Sequence, residues 1–168
     1  MPVTGALELP DTAAASPEDA TEAVGRELLD DALAEFQGDL ARLFARARAL
    51  WKESAARVHP ELQPAGYRLL AFIDRCGGTS AHELSAHFEM DKSVISRQVR
   101  MLEELRLLAS RPDEHDGRLR VLTATPAAAA VLAELRRGHA DRVRGAMAGL
   151  TVGELQTAST VFRRLAEA

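Results

Sequence analysis

The spacing of apolar residues along the chain predicts a mostly helical protein. Between Leu33 and Leu50 apolar side chains recur at alternating intervals of three and four residues, as they do along a coiled-coil seam. The segment 16–19 (SPED) has the residue types of a helix start, and Pro60 predicts that this helix ends near Val58. From the pattern alone, this seam can pack either on a second copy of the chain or on another part of the same chain. The seam consists of Leu33, Phe36, Leu40, Leu43, Ala47 and Leu50.

Three helices are predicted in the middle of the chain. The first extends from about Pro64 to Cys76, where a Gly-Gly pair ends it. The second opens with Ser80 and Glu83, which have capping-box spacing. The third follows Asp91, its expected cap, and covers the stretch KSVISRQVRMLEEL. The residues expected to be buried in the first two helices are Leu69, Leu70, Phe72, Ile73, Leu84 and Phe88.

A small β-hairpin and two helices complete the predicted elements. The segments LLASRP and RLRVLT have strand character, and the Asp-Gly pair of DEHDG between them predicts a turn. A long helix is expected to start at Thr123 or Thr125 and to continue through Leu150. Thr151 and Glu154 again have capping-box spacing and open a last helix.

The distribution of charge says more about possible partners than the net charge does. The chain has 168 residues, enough for one domain with a real core, and its formal charge is −4. Residues 1–39 hold ten acids and one base, whereas the remainder holds twenty bases and fifteen acids. A basic body therefore follows an acidic head, and the body suits a polyanionic partner.

Several kinds of chemistry are not expected from this sequence. It has no long apolar run and no basic start followed by an apolar core, so we predict a cytoplasmic protein without a membrane span. The single cysteine, Cys76, fits inert packing better than redox chemistry. His82 and His87 point about 140° apart on a helix, which does not suit a shared metal. We expect no cofactor, no metal and no catalysis.

The stretch DKSVISRQVRMLEEL divides into an apolar side and a polar side. On a helical wheel Ile95, Val99 and Leu102 share one side, which is expected to face the core. The opposite side carries small hydroxyls and cations near the start of the helix, as a helix that enters the DNA major groove does. A solvated charged face is the simpler interpretation for an isolated helix. The polar side consists of Lys92, Ser93, Ser96, Arg97 and Arg100.

The predicted hairpin favours the DNA-binding interpretation over a solvated charged face, because it directly follows the helix. Arg118 lies at its tip, where an arginine can enter the minor groove. Asp116, two residues earlier, is placed to hold this arginine by a charge-assisted hydrogen bond. The order of helix, turn, helix and hairpin predicts a winged helix-turn-helix: mainly α with a small β-hairpin wing.

From Leu33 to Ala166 the sequence resembles the MarR family of bacterial transcriptional regulators. The resemblance rests on the helix order, on ELSAHFEMDKSVISRQVRMLEEL, and on DGRLRVLT, which is similar to the family's Asp-x-Arg wing signature. It implies a homodimer that binds pseudo-palindromic double-stranded DNA, with Lys92, Ser93, Ser96 and Arg97 at the groove and Arg118 at the wing tip. We also expect DNA contacts from Arg100 and Arg120. The residues assigned to dimerisation are Leu33, Phe36, Leu40, Leu43, Leu50, Val143, Leu150, Phe162 and Leu165.

The resemblance also implies a cleft for a small aromatic or anionic effector that releases the DNA. An apolar surface beside a histidine or arginine suits such a molecule. The alternative is that these side chains belong only to the core or the dimer interface. The residues expected near the cleft are Trp51, His59, Tyr67, Arg68 and Phe72.

Four positions depart from the family pattern. Glu89 and Arg106 stand where the family usually has glycine, at a cost of about 1 kcal/mol each if the backbone there is left-handed. Ala109-Ser110 replaces residues that are commonly basic, which predicts fewer phosphate contacts.

We predict four regions and one function. Residues 1–16 form a disordered acidic extension, 17–60 an N-terminal dimerisation region, 61–125 the winged helix-turn-helix domain and 126–168 the C-terminal dimerisation helices. The predicted function is a homodimeric DNA-binding regulator, most simply a repressor. Two alternatives are a winged-helix module that binds protein without DNA, and a small enzyme that uses His82, His87 or His115.

Overall fold

The computed structural model describes residues 17–113 and 119–167. Within these residues the chain forms six helices and one two-stranded antiparallel sheet, which confirms the predicted fold class. Its internal contacts divide it into two units, Met1–Ala47 and Arg48–Ala168, which we describe separately. The elements are α1 (Pro17–Val58), α2 (Pro64–Cys76), α3 (Ala81–Phe88), α4 (Lys92–Glu104), β1 (Leu108–Pro112), β2 (Arg120–Ala124), α5 (Pro126–Ala146) and α6 (Val152–Glu167).

The described part of the first unit is helical throughout and belongs to α1. The helix begins at Pro17 and ends at Val58, as predicted, and it passes through Gly38 without a break. Ion pairs on its surface join Arg26 to Glu22 and Arg42 to Asp39. Seven of its large apolar side chains are more than a third exposed, whereas Leu40 is half-buried. The seven are Val24, Leu28, Leu29, Leu33, Phe36, Leu43 and Phe44.

The core lies in the second unit, where the end of α1, the helices α2 to α4, the hairpin and the start of α5 meet. Leu70, Ile73 and Leu84 are completely buried, and Phe72 and Phe88 are half-buried against this core. Burial of a Leu or Ile side chain contributes about 1.5–3 kcal/mol to folding, so this cluster holds the elements together. Its buried members are Ala55, Leu62, Leu69, Leu70, Ile73, Leu84, Ile95, Leu102, Leu107, Leu108, Leu122, Ala128 and Leu132.

The hairpin is anchored to the rest of the unit at two places. Thr79, just before α3, forms an isolated β-bridge with Leu122: each backbone N–H donates to the other's carbonyl oxygen, at 3.1 and 2.8 Å. Gly78 permits this approach, because its φ is +145° and a Cβ there would lie 3.1 Å from Val121. At the other end, Thr125 donates its backbone N–H to Leu107 and caps α5. From the sequence, the bridge at Thr79 had not been identified, and Thr123 and Thr125 had remained alternative starts of α5.

The predicted continuation of α5 through Leu150 is wrong. The helix ends at Ala146, and Gly149 takes a left-handed φ of +94°, which a continuing helix does not permit. Thr151 and Glu154 form the predicted capping box, with hydrogen bonds in both directions, and so start α6 afresh. α6 has no buried residue in this chain.

Glu89 and Arg106 both adopt the left-handed backbone that their departure from glycine suggested. Their φ angles are 50° and 56°. Glu89 ends α3, where its N–H donates to the Ser85 carbonyl, and Arg106 follows α4, where its N–H donates to the Glu103 carbonyl. Each non-glycine residue pays about 1–2 kcal/mol in this conformation because its Cβ crowds the backbone.

Replacing Glu89 by glycine should therefore stabilise the protein. Relief of the left-handed conformation exceeds the entropy that glycine adds to the unfolded chain, and we expect a gain of roughly 0.5–1 kcal/mol in the free energy of unfolding. Urea denaturation at fixed protein concentration measures it. The control is Glu103→Gly, at an exposed helical position, which should cost about 1 kcal/mol. Equal destabilisation by both variants would contradict the prediction.

Candidate nucleic-acid interface

Helix α4 presents the polar face that the sequence predicts. Ile95 and Leu102 are completely buried and Val99 is half-buried, so the apolar side of the helix faces the core. A row of small hydroxyls and cations therefore points outward from a fixed helix. The exposed residues on this polar face are Lys92, Ser93, Ser96, Arg97 and Arg100.

The orientation of α4 depends on a close approach to α2. A Cβ at Gly66 of α2 would lie 2.8 Å from Met101 Cε and 2.9 Å from Leu62 Cδ1, so only glycine fits at this spacing without a shift. On the other side, Ser85 of α3 donates its hydroxyl to the Met90 carbonyl at 2.6 Å and fixes the turn that precedes α4. Helix α4 is thus held from α2 and from α3.

Asp91 begins α4 in a different way from the one expected. It occupies the N-cap position, but its side chain makes no capping hydrogen bond. Its backbone carbonyl accepts the N–H groups of Val94 and Ile95 instead. The free N–H groups at a helix start favour negative charge, so this end of α4 is suited to a phosphate.

Helix α3 starts with the predicted capping box, and this one carries an additional hydrogen bond. The Glu83 carboxylate accepts the Ser80 N–H at 2.7 Å and the Thr79 hydroxyl at 2.8 Å, while the Glu83 N–H donates to the Ser80 hydroxyl. The backbone bond from Ser80, and after it the hydroxyl of Thr79, hold the pKa of Glu83 below its ordinary value of 4.5. Because Thr79 also pairs with β2, this carboxylate links the start of α3 to the hairpin.

The hairpin has the expected position and a register in which Ser110 pairs with Leu122 and Pro112 with Arg120. The Arg120 guanidinium donates to the Ser110 hydroxyl at 2.6 Å and to the Ser110 carbonyl at 2.8 Å. Arg120 is thus held across the two strands, and its predicted contact with DNA stays a prediction. Asp116 and Arg118 lie outside the described residues. Ser110, which stands where the family is commonly basic, serves here as the support of Arg120.

Three of the five residues predicted for an effector cleft lie in one group. The Arg68 guanidinium lies 4.8 Å from the centroid of the Trp51 ring and 5.4 Å from that of Phe88. Phe72 contacts Phe88 edge-on at 5.5 Å and stacks on His87 at 4.0 Å. The result is a patch of aromatic rings with a cation over it.

The other two predicted cleft residues make contacts of a different kind. His59 accepts the backbone N–H of Glu61 at 3.2 Å, and Tyr67 packs against the core. From the sequence, His87 was considered only as a metal ligand or a catalytic residue, and Phe88 was predicted to lie in the core. The signal that could have joined them to the patch was the position of both residues in the last turn of α3, next to the helix that carries Phe72.

The side chains predicted for dimerisation are exposed or half-buried in the single chain. In the first unit Leu33, Phe36 and Leu43 are exposed and Leu40 is half-buried. In the second unit Leu50 is half-buried, and the remaining four are between 44 and 51% exposed: Val143, Leu150, Phe162 and Leu165. Among the described residues, no helix is apolar over a length that would cross a membrane.

The arrangement of α2 to α4 and the hairpin is that of a winged helix-turn-helix. Residues 61–119 match the family model of the MarR family. The predicted resemblance to the MarR family is thereby confirmed over the segment that carries α4.

Relatives and solved structures agree with this. The HTH-type transcriptional regulator YxaD of Bacillus subtilis, described as uncharacterized, is 32% identical over 78 residues, which are 46% of this chain and about half (54%) of that protein. A solved MarR family transcription regulator superposes with a TM-score of 0.72 at 18% identity, covering 85% of this chain and 93% of its own. Streptococcus pneumoniae FabT, solved in complex with DNA, superposes with a TM-score of 0.72 at 12% identity, covering 80 and 95%. At these identities the structural likeness shows the fold.

The Glu83 capping box predicts a pH dependence of stability. Because folding lowers the pKa of this carboxyl, its contribution is complete above the unfolded pKa of about 4.5 and is lost as the pH falls through the folded pKa. Glu83→Gln should therefore be less stable than the wild type at pH 6 and lose less stability between pH 5 and pH 3. Denaturant unfolding across this range measures the difference, with Glu104→Gln, at an exposed position of α4, as control. Parallel acid profiles for the wild type and Glu83→Gln would contradict the assignment.

Proposed function

We propose that the protein is a sequence-specific DNA-binding transcriptional regulator that acts in the cytoplasm as a homodimer. The observation that carries the proposal is the polar face of α4, exposed over a buried Ile95 and Leu102 within a winged helix-turn-helix. Ser93 and Ser96 are small enough to let the helix backbone approach base edges, and the cations beside them reach phosphates or guanine. Repression follows most simply, since a bound dimer occupies the promoter.

The charge of the chain supports DNA as the partner. Residues 40–168 carry five more bases than acids, although the whole chain is acidic. Binding should weaken with salt as condensed counterions are released, with a slope set by the number of phosphate contacts. Ala109 and Ser110, in place of basic residues, favour a shallow slope.

Exposed apolar side chains support the homodimer. α6 is without a buried residue, and it exposes Leu155, Phe162 and Leu165. Apolar surface of this extent is usually covered in solution, and a second copy covers it symmetrically. Two copies of α4 would then lie about 34 Å apart, one turn of DNA, and favour a near-palindromic operator.

The aromatic patch supports a small effector. Arg68 over Trp51 and Phe88 offers a cation beside apolar rings, which suits an aromatic molecule with a negative charge. Such a molecule would release the DNA by preferring a dimer whose reading helices are differently spaced.

Selection of genomic fragments by the purified protein tests the function. We expect enrichment of a pseudo-palindromic site whose affinity falls as salt is raised. Failure to enrich any sequence at low salt would overturn the proposal, and would favour a module that binds protein through its exposed apolar surfaces.

Arg97→Ala should lower specific binding more than non-specific binding. An arginine that reads a base contributes about 1–3 kcal/mol of discrimination, so the selected site should bind roughly 5- to 150-fold more weakly while random DNA changes little. Fluorescence anisotropy on both duplexes measures this, with Arg137→Ala, an exposed arginine of α5, as control. Equal weakening on both duplexes would make Arg97 a phosphate contact instead.

Charges placed on α6 should dissociate the dimer. Phe162→Glu with Leu165→Glu buries two carboxylates in the proposed interface, at a cost of several kcal/mol each, and should yield a folded monomer with little operator affinity. Light scattering after size-exclusion chromatography measures the mass. Thr157→Glu with Thr160→Glu, also at exposed positions of α6, is the charge-matched comparison. A double-glutamate variant that remains dimeric would exclude this face from the interface.

A further inference from the structure

Helix α5 changes its environment abruptly near its middle. Ala128, Leu132 and Leu135 are buried, whereas every residue from Arg136 to Ala146 is exposed. The first half of the helix therefore belongs to the core of the second unit, and the second half projects from it over about 16 Å, at 1.5 Å per residue. The orientation of the projecting half is decided at the point where α5 leaves the core.

Two ion pairs lie at this point and join α5 to different helices. Glu134 accepts the Arg57 guanidinium of α1 at 2.9 Å, and Arg136 pairs with Asp74 of α2. Both partners of the first pair are more than half exposed, so that pair contributes little. The Asp74 side chain is only 11% exposed. A carboxylate so far from water depends on its partner, and the Arg136–Asp74 pair is the stronger constraint.

Asp74 connects the Arg136–Asp74 ion pair to α4. It follows Ile73 on α2, and Ile73 is completely buried in the same core cluster as Ile95 and Leu102 of α4. Because protein cores are close-packed, a change in the angle between α5 and α2 reaches α4 through this cluster. At the end of the projecting half, a rotation of about 10° moves the chain by about 3 Å, close to the ~3.4 Å rise of one base pair.

We propose that Arg136 is a positioning residue. Its ion pair with Asp74 sets the angle between α5 and the winged helix-turn-helix, and this angle determines which distance between DNA half-sites the dimer accepts. The inference rests on the proposed function, in which α4 reads DNA as part of a homodimer, and on the predicted place of Val143, near the end of α5, in the dimer interface. In this proposal, two residues that do not contact DNA determine the preferred distance between the two half-sites of the operator.

A series of operators with altered spacing tests the role of the pair. Duplexes carry the selected half-sites with the centre-to-centre distance changed by one or two base pairs, and the affinity of each is measured at one salt concentration. The wild type should prefer one spacing. We expect Arg136→Gln to reduce that preference about tenfold, and Arg137→Gln, which removes the same charge from an exposed residue without an ion pair in the described parts of the chain, to retain it. An unchanged preference in Arg136→Gln overturns the proposal.

Two further variants separate positioning from loss of the fold. Arg136→Lys keeps the charge and should keep most of the preference, whereas Asp74→Asn should flatten it as Arg136→Gln does. The double variant should have no weaker preference for one spacing than either single variant has, because all three break the same ion pair. Additive effects of the two substitutions, or a loss of preference in Arg136→Lys equal to that in Arg136→Gln, would overturn the proposal.

A distance measurement without DNA distinguishes failure of this inference from failure of the proposed function. Spin labels are attached through Glu103→Cys on α4 and His139→Cys on α5, in a Cys76→Ser background, and labelled protein is diluted with unlabelled protein so that only distances within one chain are seen. We expect a narrow distribution for the otherwise unaltered protein and a broader or shifted one with Arg136→Gln. An unchanged distribution overturns the role of the pair. If Arg136→Gln broadens the distance distribution but no operator can be selected for the protein, the role of the pair stands and the proposed function as a DNA-binding regulator is refuted.

Discussion

The burial of Ile95 and Leu102 is the constraint on which the rest of the structure depends. Both side chains are completely removed from water, and each contributes about 1.5–3 kcal/mol. With those two positions fixed, the 100° turn per residue of a helix decides which side chains face outward. Lys92, Ser96 and Arg100 are presented together because their helix cannot rotate. Gly66 and the two left-handed turns at Glu89 and Arg106 allow the neighbouring elements to close around it.

Local pattern was sufficient to predict most of the fold. Capping boxes at Ser80 and Thr151 and the proline after α1 each depend on a few consecutive residues, and the structure has the corresponding helix boundaries. Even the left-handed backbone at Glu89 was signalled, by a charged residue where glycine is usual. The end of α5 was missed because its apolar spacing continues past Gly149, whose backbone conformation spacing does not report.

Contacts between distant parts of the chain could not be predicted in the same way. The bridge from Thr79 to Leu122, the support of Arg120 by Ser110 and the pair of Arg136 with Asp74 join residues between 10 and 62 positions apart. Any of the chain's 21 basic residues could face any of its 25 acids, and only the packed helices select among them. These contacts fix the hairpin beside the start of α3 and join α5 to α2. The unpredicted contacts therefore hold the elements that surround the predicted site.

Contact between the exposed face of α4 and DNA is the central claim, and NMR tests it most directly. Isotope-labelled protein is titrated with a selected operator duplex, and chemical-shift changes are followed for each backbone amide. The account predicts that the largest changes fall on residues 92–100 and on the hairpin, and are small on the buried side of α2. Changes concentrated on α1 or α6, with residues 92–100 unaffected, would contradict it.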